Sequence, residues 1–168
     1  MKKSIPILFI LLVTGLVSCL NLDPPCSRTI NQNLLNLLDT ARLNSDGRTI
    51  DAWLAARNIT AIKDGTGLRY RIIQQGTGEV PCLGDVVNVD YVGSLLSNGS
   101  VFDSSSSPVD LPLANLILGW QIGFLKLQKG ARAIFYIPSS LAYGAQERTG
   151  IPANSILIFD IDFYDIKR

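Results

Sequence analysis

The sequence predicts an α+β fold: a curved antiparallel β-sheet wrapped over one short helix and preceded by two short N-terminal helices. Three observations predict it. From Gly65 onward apolar residues recur with period two, the spacing of strands with one buried face. Asn98-Gly99 stands between two such runs, and this pair tolerates the positive φ that a tight hairpin needs. A single short helical pattern follows Gly119, so one helix is expected to cover the one apolar face of the sheet.

The N-terminus reads as an export signal. Lys2-Lys3 precedes the apolar run Ser4–Val17, which is short for a membrane span and ends in Leu16-Val17-Ser18-Cys19. That ending resembles the bacterial lipoprotein cleavage box. Residues 1–18 are then a signal peptide, and Cys19 becomes the acylated first residue of a protein anchored in the bacterial cell envelope. The expected site is the outer membrane, on its periplasmic or surface face. An ordinary secretory signal and an uncleaved anchor are the alternatives.

Residues 19–64 are expected to form a tether and a short helical extension. Leu20–Pro25 has extended character because residues before proline avoid the helical region. Thr29-Ile-Asn-Gln32 has the form of a capping box, followed by Ile30, Leu34, Leu37, Leu38 and Ala41 at helical spacing. Asn44-Ser-Asp-Gly47 is expected to stop that helix. Thr49 then caps a second, with Ile50, Trp53 and Leu54 on one face and Asn58 beyond its end.

Residues 65–168 carry the sheet. Leu68, Tyr70 and Ile72 mark a strand that ends at Gly76-Thr-Gly78, and Asp85–Leu96 is a longer one with Val87, Val89 and Tyr91 on one face. The Asn98-Gly99 turn returns the chain into Val101–Ser104. A serine-rich loop then leads to Leu111-Pro112-Leu113, an edge segment because proline has no N–H to donate. The helix starts at Trp120. Ala131, Ala133, Phe135 and Ile137 form one inward face, and Leu157, Phe159, Ile161 and Phe163 another, with the loop Pro138–Pro152 between them.

Composition removes several chemistries. Fifteen basic against fourteen acidic residues, thirteen against fourteen once Lys2 and Lys3 are cleaved away, give no field for nucleic acid. The chain has no histidine, which removes Ser/His/Asp and Cys/His nucleophiles and most catalytic zinc sites. Beyond Cys19, Cys26 and Cys82 are an even pair in a compartment that tolerates disulfides; bridged and free thiols both fit.

Five segments in register then carry a resemblance: Val89-Asp-Tyr91-Val-Gly93, Asn98-Gly-Ser-Val-Phe102-Asp103-Ser-Ser105, Leu116-Ile-Leu-Gly-Trp120, Ala142-Tyr143-Gly144, and Ile151-Pro152 with Leu157-Ile-Phe159-Asp160. Together they resemble the FKBP-type peptidyl-prolyl isomerases over about Gly65 to Arg168. The resemblance implies an isomerase of X–Pro bonds that assists the folding of envelope proteins, needs no cofactor or metal, and takes proline-containing polypeptides as substrates. Macrolide binding is a further implication. By the same resemblance Trp120 is the floor of a proline pocket with Tyr91, Phe102 and Phe159 as walls. Ile117 offers a backbone N–H to a ligand carbonyl with Leu116 beside it, Tyr143 offers a phenol, and Ile151 closes the pocket. Asp103 stands near the twisted amide, held by Tyr91. Four departures accompany these matches: loop 145–150 aligns only loosely, Pro152-Ala153 stands for a common Pro-Pro, Ser104–Ser107 and Pro108 stand where the family often has an arginine partner for the aspartate, and Leu111 where a phenylalanine wall is common; the last two count most. They motivate the rival reading, a non-catalytic proline-binding chaperone or interaction module on the same fold.

The chemistry suits the residues. Turning an X–Pro amide crosses a barrier of roughly 18–20 kcal/mol set by resonance, and no bond is made or broken. A dry concave site that grips the ring, with a few polar groups aimed at the carbonyls, is what such a rotation needs.

Overall fold

The computed structural model describes residues 26–168; the stretch read as a signal peptide, and Cys19, lie outside them. Three α-helices, α1 (Gln32–Asn36), α2 (Thr40–Ala55) and α3 (Leu118–Phe124), accompany seven strands: β1 (Ile62–Lys63), β2 (Arg69–Gln74), β3 (Val86–Leu95), β4 (Val101–Ser104), β5 (Val109–Pro112), β6 (Arg132–Ile137) and β7 (Leu157–Lys167). The strands form one antiparallel sheet in the order β1-β2-β6-β7-β3-β4, and β5 pairs with β3 as well. β4 and β5 therefore share one edge of β3, the former against Val92–Ser94 and the latter against Val86–Val89.

The period-two pattern sets the core. Ala133, Phe135 and Ile137 of β6, Leu157, Phe159, Ile161 and Phe163 of β7, and Val87 and Val89 of β3 all point to one face, where they meet Trp120, Ile122 and Phe124 of α3. Two glycines bring α3 that close. A Cβ on Gly119 would lie 2.4 Å from Ile137 Cγ2, and one on Gly123 2.4 Å from Phe135 Cε2. Gly119 thus sits inside the helix, whose first residue is Leu118 and not Trp120, and its missing side chain serves helix-to-sheet contact. At the hairpin, Gly99 has φ +75° and Ser100 N–H donates to Asn98 Oδ1, as the Asn-Gly pair requires.

Two expectations fail. Asn44-Ser-Asp-Gly47 does not stop a helix: α2 runs through it for sixteen residues from an Asp39 cap, and Thr49 lies in its interior. The turn-formers are overruled because tertiary contacts use them. Asp46 is buried against Ser139, and Gly47 lets the Arg69 guanidinium lie on the helix, where a Cβ would meet both terminal nitrogens at 2.8 Å. The first helix shrinks accordingly to α1, capped by Asn31 and not by Thr29. Second, the sheet buries part of its other face as well, because the N-terminal helix packs on the domain. Ile50 and Leu54 of α2 pack with Tyr136 and Leu96 in a second apolar cluster, which Trp53, Ile134 and Ile158 flank. Asn58 does end α2 in the left-handed region, at φ +53°.

Cys26 and Cys82 are joined in a disulfide, their Cα atoms 5.2 Å apart. It ties the chain ahead of α1 to the buried end of the β2–β3 connection, where Asp85 accepts from the Cys82 N–H at 2.8 Å.

Candidate active site

Four elements bring aromatic rings to one place. Tyr91 comes from β3, Phe102 from β4, Phe159 from β7 and Trp120 from α3. Trp120 meets Tyr91 edge-on with ring centres 5.3 Å apart, and Phe159 at 5.1 Å and 89°. Phe159 also touches Phe102 at 5.6 Å and Tyr91 at 6.2 Å. Edge-to-face contact is the favoured arrangement of such rings and fixes their mutual tilt.

Register explains the convergence. Gly93 is paired with Phe159 on one side and with Asp103 on the other, and Tyr91 lies two residues back on the same face. The β3–β4 ladder then shifts between Gly93 and Ser94, so that Val101 follows Asp103 in the pairing and Phe102 is the extra residue. In an unbroken strand Phe102 and Asp103 would face opposite ways. The bulge turns both toward Tyr91 and Phe159. Gly93 makes room for them, since a Cβ there would stand 2.8 Å from both Phe102 and Phe159.

The polar groups sit at the rim. The Tyr91 hydroxyl donates to Asp103 Oδ2 at 2.8 Å. Burial, reinforced by the Asp103 carboxylate, pushes the phenol up to about 12, so it stays a donor at neutral pH. The Tyr91 main chain is held as well: its N–H donates to Ser105 Oγ at 2.8 Å, and its carbonyl accepts from the Ser105 N–H at 3.0 Å. No sequence signal marked Ser105 as the residue that fastens Tyr91, or Gly93 as the gap that admits two rings; only the bulge register exposes either.

The remaining sequence-predicted residues belong to the main apolar cluster or pack against it. Ile151 is buried in the cluster, and Leu111, Leu116, Ile117 and Tyr143 are half-buried against it. Ile117 is extended, at φ −56° and ψ 150°, immediately before α3, and its N–H has no backbone partner among the described residues. Arg148 lies over the Tyr143 ring, 5.5 Å from its centre, in a tight turn where Arg148 and Ile151 exchange two backbone hydrogen bonds. The indole Nε1 of Trp120 is buried without a hydrogen-bond partner. A buried orphan donor costs about 1–3 kcal/mol and calls for a functional account.

Comparison with known proteins places the chain. The sequence model described as FKBP-type peptidyl-prolyl cis-trans isomerase matches residues 78–164. The probable FKBP-type peptidyl-prolyl cis-trans isomerase FkpA of Neisseria meningitidis serogroup B is 44% identical over 117 residues, 63% of this chain and 42% of the relative. The peptidyl-prolyl cis-trans isomerase Mip of Coxiella burnetii is 40% identical over 119 residues, 68% of this chain and 51% of the relative. The chain thus spans about half the length of such relatives. Among solved structures, FkpA from Escherichia coli superimposes with a TM-score of 0.66 at 33% identity, covering 81% of this chain and 64% of that one. A peptidyl-prolyl cis-trans isomerase from Pseudomonas syringae gives 0.65 at 26% identity, covering 74% and 96%. The sequence match and the superpositions agree, and the chain belongs to the FKBP-type peptidyl-prolyl cis-trans isomerase family.

Proposed function

We propose that the domain is a peptidyl-prolyl cis-trans isomerase that acts without covalent chemistry and assists the folding of proteins in the bacterial envelope. The observation that carries the reading is the meeting of Trp120, Tyr91, Phe102 and Phe159 in one cluster, with Tyr91 pinned to Asp103 at its rim. In this reading the prolyl ring rests on Trp120, between Tyr91, Phe102 and Phe159, with Leu111 and Ile151 excluding water. The Ile117 N–H, with Leu116 beside it, and the Tyr143 hydroxyl hold the flanking carbonyls. Asp103 acts on the amide as its conjugation is lost at the twist. A dry site strengthens each of these polar contacts, and only those that improve at ninety degrees speed the rotation. A macrolide would occupy the same hollow.

The test is two-dimensional exchange NMR of a short X–Pro peptide with and without the purified protein. Faster build-up of the cis/trans cross-peaks is expected. Unchanged build-up with retained peptide binding would establish the non-catalytic module instead. We further propose that Cys19 carries a lipid anchor; Cys19→Ala should abolish labelling by a palmitate analogue, and persistent labelling would exclude Cys19 as the sole site.

A further inference from the structure

We infer that Arg42 and Asp46 of α2 are positioning residues for the isomerase site, acting through the loop that carries Tyr143; the inference rests on the function proposed above. The loop between β6 and β7 has no strand and one short 3-10 turn, Ser139–Leu141. A connection of that length is mobile unless it is tied down. Two side chains one helical turn apart on α2 tie it at both ends. At the entry, Asp46 Oδ2 accepts from the Ser139 N–H at 2.8 Å and from the Ser139 hydroxyl at 2.5 Å, with Asp46 3% exposed and Ser139 fully buried. At the exit, the Arg42 guanidinium donates to the Asn154 carbonyl at 2.8 Å, while its Nε pairs with Asp46 Oδ1 at 3.0 Å and reaches the Ser139 hydroxyl at 3.3 Å. The two anchored points also join one another through the residue next to Tyr143: the Gly144 N–H donates to the Ser139 carbonyl at 2.8 Å, and the Asn154 N–H to the Gly144 carbonyl at 2.7 Å. Asn154 itself is in the left-handed region, at φ +59°.

A buried carboxylate is costly unless every lone pair finds a donor, so its placement specifies one arrangement of what it bonds. Here that arrangement is the root of the Tyr143 loop. A helix from outside the sheet thus sets where the Tyr143 phenol stands. Outside its apolar packing, the main contact of helix α2 is with the 3-10 turn.

The experiment compares the parent with Arg42→Gln and Asp46→Asn by amide hydrogen exchange and by X–Pro exchange NMR. Both variants should speed exchange of the Gly144 and Asn154 amides at least tenfold, leave the β3–β7 amides unchanged, and lower turnover about tenfold with KM nearly constant. In a Tyr143→Phe background the added Arg42→Gln should cost less than twofold more. Unchanged loop exchange overturns the inference, as does faster loop exchange with parental turnover, or a full tenfold loss persisting without the phenol. Should Asp46→Asn fail to fold, Arg42→Gln carries the test, because Arg42 is 38% exposed. A parent with no turnover would sink the proposed function instead, and loop exchange would then decide alone whether α2 clamps the loop.

Discussion

Gly93→Ala is the smallest change that reaches the heart of the site. The added methyl would sit 2.8 Å from Phe102 Cε2 and Cζ and from Phe159 Cε1, so both contacts have to open by more than half an ångström to reach about 3.4 Å, by ring movement or by a shift of the β3 backbone. Phe159 has nowhere to go: it is 5% exposed and wedged between Trp120 at 5.1 Å and Tyr91 at 6.2 Å. Phe102 is half-buried on a four-residue edge strand and will swing toward solvent. Overpacking costs about 1–3 kcal/mol, and replacing glycine in a strand returns about 0.5–1 kcal/mol of backbone entropy. The net is a loss of about 1–2 kcal/mol, or roughly 3–6 °C in Tm for a chain of this size. Under the function proposed above, activity should fall further than stability, about 10- to 100-fold in X–Pro exchange, because the displaced ring is a wall of the proposed proline site. Denaturant titration and exchange NMR on the same sample separate the two effects. Parental turnover in a variant whose Phe102 has moved would refute the role given to that wall.

Three other outcomes follow from single contacts. Tyr91→Phe removes the donor to the exposed Asp103, a bond worth about 1 kcal/mol after solvent screening. The unfolded phenol ionises near 10 and the folded one at about 12, so its contribution is whole below about pH 10 and is lost as pH rises to 12; the variant's stability should fall less across that window, with Tyr136 and Tyr164, shifted the same way, accounting for what slope remains. Asp51→Ala strips the bidentate partner, at 2.8 and 2.7 Å, from an Arg69 that is 4% exposed, and should cost about 3 kcal/mol in a urea titration; a loss under about 1 kcal/mol would show that the Gly67 carbonyl suffices to hold the guanidinium. Reducing the Cys26–Cys82 bridge, which spans 56 residues, should lower stability by about 4 kcal/mol on the chain-entropy account, read as the shift in denaturant midpoint with and without reductant.

Much of this molecule is legible in its sequence, and the illegible parts have physical reasons. Alternation identifies the core faces of β3, β6 and β7 because period two survives burial on one side. It understates the other side, where Tyr136 and Leu96 are buried under α2 although the local pattern marks neither as core. Helix signals mislead where tertiary contacts take over the polar residues: Asp46 and Gly47 read as a stop, yet the carboxylate bonds Ser139, 93 positions away, and the glycine accommodates Arg69. Propensity is a weak prior against such contacts. In the aromatic cluster the identities of the residues could be read, but not the register slip at Gly93 that turns Phe102 and Asp103 to one side, since a bulge is a property of two strands together.

The serine-rich loop then looks like a substitution of means. Asp103 has no cation beside it among the described residues, and its side-chain partner is a neutral phenol. An ion pair would orient the carboxylate directly. Here orientation is passed through Tyr91, which is fixed at three points: its ring against Trp120 and Phe159, its hydroxyl on Asp103, and its main chain on Ser105, whose hydroxyl in turn donates to Asp90 at 3.2 Å. The raised phenol keeps its proton throughout the neutral range, so the carboxylate retains a donor without being neutralised by a fixed positive charge. Under the function proposed above, an exposed carboxylate without a fixed cation can respond to the dipole of an amide that is losing its conjugation, whereas a tight salt bridge would already have spent much of that field. A loop without arginine is therefore compatible with a working site, provided the tyrosine that replaces its steering function cannot move.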